Sequence, residues 1–80
     1  MAMSFDTNHD QPSVDRYVGG QIARKRKAMR LSQSDMAHML NSSVAEIAQW
    51  EAGLKRVSAS RLFEIARIFH VAVSYFFEHA

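Results

Sequence analysis

The side chains most able to do chemistry in this sequence are cations. Of its ten Lys and Arg residues, six lie close together: Arg16, Arg24, Lys25, Arg26, Lys27 and Arg30. Residues 1–15 carry Asp6, Asp10 and Asp15 with no Lys or Arg and sum to −3, so residues 16–80 sum to +5 within a net charge of +2. A basic region behind an acidic stretch is the electrostatic footprint of a polyanion partner, and equally of a solvated helix face.

Other chemistries lack their residues. The four histidines, His9, His38, His70 and His79, show no i, i+4 pair, and the chain has no Cys to complete a zinc site or supply a thiolate. No metal or cofactor is expected. No Ser sits in a G-x-S-x-G elbow, and no glycine-rich loop is present to cradle a phosphate. With no nucleophile, base and pocket in combination, the sequence does not read as an enzyme. No apolar run approaches the ~18 residues of a membrane span. The start, MAMSFDTNHD, has neither a basic nor an apolar signal region. Together with the absence of Cys, this leads to the expectation of a cytoplasmic protein without a membrane partner.

The elements that must position the cations are helical. Eighty residues, 48 % of them hydrophobic, form one small domain, and a chain of this size buries about 60 % of its unfolded surface in one core. Residues 1–13 are polar, contain the only Pro, and read as a disordered acidic arm; residues 14–80 read as the domain. Val14, Tyr17, Val18, Ile22 and Met29 are spaced for one face of a first helix that ends at Arg30-Leu31. Gly19 and Gly20 weaken it, so its firm start is expected near Gly20. Ser32 with Asp35, and Ser43 with Glu46, have capping-box spacing, which starts helices over Gln33–Leu40 and Val44–Ala52. Asn41 tolerates the left-handed turn between them, and Gly53 closes the second. Ser58 caps a fourth helix over Ala59–Phe69, and the apolar Val71–Phe77 stretch favours a short fifth helix.

Two short helices joined by a tight turn, in a small basic all-helical chain, form a helix-turn-helix. Counting from Gln33, Ala37 falls where the two helices cross and must be small, Asn41 is the turn residue, and Leu40, Ile47 and Trp50 point inward. Trp50 is therefore read as core, with Met29 and Met36 as gap-fillers and Met39 as the most exposed methionine. The joint pattern is Leu31-Ser32-Gln33-x-x-Met36-Ala37, Ile47-x-x-Trp50-Glu51-x-Gly53, the Leu62/Ile65/Ala66 helix and Val71-x-Val73-x-x-Phe76-Phe77. Over roughly Val18 to Phe77 it resembles the Cro/lambda-repressor (Xre-type) helix-turn-helix family. The segments Val57–Leu62 and Val73–Glu78 are similar to a branch common in alphaproteobacterial regulators.

The resemblance implies an all-α, five-helix lambda-repressor-like domain that binds double-stranded DNA and regulates transcription, as a repressor by analogy. It implies a base-reading role for Val44, Ala45, Glu46 and Gln49, and phosphate contacts from Gln33, Ser43, Lys55 and Arg56. Val44 and Ala45 suit thymine methyls and Gln49 suits adenine, while Glu46 is expected chiefly as a cap. The resemblance also implies an architectural ion pair between Arg26 and Glu51, and a homodimer surface at Tyr75, Phe76 and Phe77. Those three aromatics cannot all be buried in so short a helix: one packs inward and the others stay exposed, or they form a partner surface. An antitoxin-type or protein-interaction module on the same fold is the alternative. It would take a protein partner through the arm or the C-terminal aromatics.

Overall fold

The computed structural model describes residues 7–78, with side chains from residue 13 onward. Helix α1 spans Thr7–Ala28, α2 Gln33–Leu40, α3 Val44–Glu51 and α4 Ala59–Phe69, and a 3-10 helix follows over Val73–Phe77. No strand occurs among the described residues. The fifth element is thus a 3-10 helix rather than an α-helix. Helix α1 begins inside the stretch read as an arm and runs through Gly19 and Gly20 without a break; residues 1–6 of that arm lie outside the described residues.

The continuity of α1 has a packing cause. A Cβ on Gly19 would collide with the carbonyl oxygen of Trp50 and lie 2.9 Å from that of Glu51. This glycine lets the end of α3 rest against the α1 backbone. Gly20, one residue on, faces open space. Gly53 matters for a related reason: its φ is +75°, and a Cβ there would lie 2.7 Å from Cα of Arg16.

The core joins Val18 and Ile22 of α1, Met36, Ala37 and Leu40 of α2, and Ile47 and Trp50 of α3. Val57, Leu62, Ile65, Ala66, Phe69 and Phe76 complete it. Only two of the five residues assigned to the α1 stripe are buried. Val14 and Met29 are exposed and Tyr17 is half-buried. Met29 lies in the turn beyond the helix, and Val14 forms an outer wall of a cleft of about 300 Å³ shared with Val18, Val57, Leu62 and Phe77.

Each α-helix stops in the same way. Arg30 (φ 61°), Asn41 (φ 54°), Gly53 (φ 75°) and His70 (φ 59°) are left-handed. In each case the next residue donates its N–H five residues back: Leu31 to Arg26, Ser42 to Ala37, Leu54 to Gln49 and Val71 to Ala66, at 2.8–3.1 Å. At the other ends, the hydroxyls of Ser32, Ser43 and Ser58 accept from the N–H groups of Asp35, Glu46 and Arg61.

Candidate nucleic-acid interface

Helices α2 and α3 and the turn at Asn41 are positioned from both sides. Beneath them, Ala37 is small enough for the helix crossing and is buried with Leu40, Ile47 and Trp50. The phase that turns Ile47 and Trp50 inward turns Val44, Ala45 and Gln49 outward, and all three are exposed. Val44, an apolar side chain, is 46 % exposed on this face. Such a face can pack on methyl groups through Val44 and Ala45 and hydrogen-bond one base edge through Gln49.

Glu46 does something different. The Ser43 hydroxyl accepts from its N–H at 3.1 Å, but its carboxylate does not complete a capping box. Instead Oε1 accepts from the Ser42 hydroxyl, and Oε2 accepts from Lys55 Nζ at 3.0 Å, with Arg61 4.0 Å away. The Ser42 and Lys55 bonds hold this carboxyl below its usual range, against a small opposing effect of burial. The full box forms at the site with the shorter acid. Asp35 N–H donates to Ser32 Oγ and Ser32 N–H donates to Asp35 Oδ2, each at 2.8 Å. The bond from the Ser32 backbone is the main reason the Asp35 carboxyl lies below its usual range.

Arg26 and Glu51 form a two-pronged pair. Arg26 Nε donates to Glu51 Oε2 at 2.7 Å and Nη2 donates to Oε1 at 2.9 Å, with side chains 10 % and 7 % exposed. A third Arg26 donor reaches the Leu31 carbonyl at 2.8 Å, which ties the end of α1 to the pair. The Glu51 bonds raise the Arg26 pKa and outweigh the opposing effect of burial. Gln33 joins them, donating from Nε2 to Glu51 Oε1 at 2.9 Å. The first residue of α2 and the last of α3 are therefore held by one carboxylate.

The remaining cations divide. Arg16, Arg24, Lys27 and Arg30 are exposed. Lys25 leans over the Tyr75 ring at 5.9 Å. Arg56 pairs with Asp15 at 3.0 Å, and Lys55 pairs with Glu46, so both cations expected at phosphates already have an intramolecular partner. Both pairs are partly solvated, which keeps the cost of exchanging a carboxylate for a phosphate small.

The aromatic triplet splits. Phe76 is fully buried, 6.2 Å from the Phe69 ring and 5.5 Å from Tyr75. That removes it from the surface to which it was assigned: the 3-10 helix turns it into the core. Tyr75 is half-buried and Phe77 is 46 % exposed. Sequence reasoning missed Arg61, whose guanidinium reaches α2, α3 and α4, and missed Asp15 as the partner of Arg56. Neither had a local signal, since both contacts span more than twenty residues.

Among the described residues no three His, Asp or Glu are grouped to hold a metal ion, and no helix is long and apolar enough to cross a membrane.

A family profile described as helix-turn-helix matches residues 22–76. A protein of Rhodospirillum rubrum, named as a transcriptional regulator in the ATPase CF(0) region, is 39 % identical over 64 residues, which is 80 % of this chain and 59 % of that protein. A protein of Sinorhizobium medicae, named as an HTH-type transcriptional regulator, is 38 % identical over 74 residues, 91 % of this chain and 53 % of that protein. One of Rickettsia conorii with the same type of name is 29 % identical over 65 residues, 81 % of this chain and 52 % of that protein. The chain spans between half and three fifths of the length of these relatives.

Proposed function

The chain belongs to the helix-turn-helix family of the Cro/lambda-repressor (Xre) type, and from that footing we propose that it binds double-stranded DNA in a sequence-specific manner and regulates transcription. The observation that carries this reading is the outer face of α3. Val44, Ala45 and Gln49 stand exposed side by side on a short helix whose opposite face is locked into the core. In this reading α3 enters the major groove, with its N-terminal residues toward the bases. Gln49 hydrogen-bonds one base edge, Val44 and Ala45 meet thymine methyls, and Glu46, turned toward Ser42 and Lys55, serves the fold rather than reading a base.

Gln33, Ser43, Lys55 and Arg56 contact phosphates, with Lys55 and Arg56 exchanging their carboxylate partners for the backbone. The role is non-enzymatic, repression is the mode by analogy, and the cytoplasm is its place. Two copies act on one site, with recognition helices about one helical turn of DNA apart. Of the C-terminal aromatics, Phe77 and the outer edge of Tyr75 are the ones available to that dimer.

The test is selection from a random double-stranded DNA pool at two salt concentrations. The expected result is a two-fold symmetric motif with half-sites about 10 base pairs apart. Enrichment of no sequence, with only weak and salt-sensitive binding, would overturn the reading and leave the cations as a non-specific polyanion footprint.

A further inference from the structure

We infer that Arg61 is a positioning residue for DNA readout: it ties α2, the turn and α3 to α4, and thereby sets the angle at which α3 presents Val44, Ala45 and Gln49. The inference rests on readout by α3.

Its place in α4 is electrostatically wrong for a purely local role. Arg61 is the third residue of α4, in a first turn that carries no acid. A cation there opposes the helix dipole. What offsets this lies in the helix-turn-helix. Arg61 Nη1 donates to the carbonyl of Leu40, the last residue of α2, at 2.7 Å. The Asn41 and Ser42 N–H groups are used on His38 and Ala37, so this carbonyl, at the negative end of α2, takes its donor from α4.

The same guanidinium lies 5.7 Å from the centre of the Trp50 ring, near the C-terminal end of α3. It is 4.0 Å from Glu46, in the first turn of α3, and its Nη1 also donates to Glu64 at 2.9 Å. One planar, half-buried group thus touches the end of α2, both ends of α3 and its own helix. The Arg26–Glu51 pair restrains α3 from the α1 side, and Arg61 restrains it from the α4 side.

Lysine keeps the charge. As a compact ammonium it lacks the planar fork that holds a cation beside the Trp50 ring while donating to both Leu40 and Glu64. The experiment compares wild type, Arg61→Lys and Arg61→Ala on two duplexes, one carrying the selected motif and one scrambled. It is run well below each protein's melting temperature and across a salt series. The expected result for both variants is a loss of about tenfold on the selected duplex, the size of one mismatched base pair. Scrambled-duplex affinity should hold to within about twofold and the salt slope should not change.

An unchanged preference for the selected duplex in either folded variant would overturn the inference and leave Arg61 a structural tie alone. Equal losses on both duplexes, with a salt slope lower by about one, would overturn it in favour of a direct phosphate contact. A wild-type protein that prefers neither duplex would overturn the DNA-reading proposal itself, and this inference with it. If Arg61→Ala does not fold, Arg61→Lys carries the comparison.

Discussion

The carbonyl oxygen of Trp50 occupies the space that a side chain on Gly19 would fill. The C-terminal end of α3 is thereby seated on the backbone of α1 with nothing between them. Gly19→Ala should therefore destabilise the domain by about 1–3 kcal/mol, as overpacking against rigid backbone does. Gly20→Ala, one residue away in open space, should stabilise it by about 1 kcal/mol, the ordinary helical gain of Ala over Gly. Thermal and urea melts of the two variants check this, and shifts in the same direction would contradict the contact.

The Arg26–Glu51 pair should behave as a buried charge pair does. Arg26→Ala or Glu51→Ala leaves its partner uncompensated and should cost about 3–5 kcal/mol. The double change Arg26→Met with Glu51→Leu should recover most of that loss. Double-mutant-cycle melts measure the coupling. Additive losses would show that the two side chains contribute separately despite their 2.7 and 2.9 Å contacts.

Left-handed residues without glycine leave stability to be gained. His70→Gly should raise stability by about 1 kcal/mol by removing the Cβ strain at φ 59°. Asn41→Gly should gain less, because Asn adopts this conformation more readily. Urea midpoints compare the two, and a larger gain at Asn41 would reverse the explanation.

Acid should loosen the helix-turn-helix through two carboxylates. Asp35 and Glu46 are both held below their usual range, Asp35 chiefly by the Ser32 backbone bond and Glu46 chiefly by the Ser42 hydroxyl. Their stabilisation is complete above the unfolded carboxylate range, near pH ~4, and is lost as pH falls through the lower folded values. Melting temperature followed from about pH 7 to about pH 2 should drop on the acid side, and Asp35→Asn with Glu46→Gln should flatten that drop. An unchanged acid slope would assign it to other carboxylates.

On DNA, Gln49→Ala should cost about 1–3 kcal/mol on the selected site and relax one base position. Lys55→Ala should weaken selected and scrambled duplexes alike and lower the salt slope by about one. Titrations on both duplexes separate the two effects, and identical behaviour would remove the distinction between reading and positioning.

What was legible in the sequence follows the range of each interaction. The Ser caps, the bounds of α2 and α4, the left-handed Asn41 and the inward Trp50 depend on residues within a few positions of one another, and the structure places them as the spacing predicts. Met39, 52 % exposed, and fully buried Met36 follow the helical phase in the same way. The Arg26–Glu51 contact was expected only through family resemblance, because no local rule links residues on different helices. Arg61 and the Asp15–Arg56 pair carried no such signal. The uninterrupted course of α1 was hidden for the same reason: the partner that requires Gly19 is a carbonyl some thirty positions away. The Glu46 carboxylate passed over the local cap for Ser42 and Lys55, where it meets a hydroxyl and a cation together.

The repeated helix ending has a consequence for how fast the domain forms. Each α-helix ends in a hydrogen bond spanning five residues, and α2, α3 and α4 each begin in one spanning three. These segments can be delimited before any distant contact exists, so the search on folding is confined to docking segments whose lengths are already set. That places the domain among helical folds of low contact order, with relaxation expected in microseconds to milliseconds.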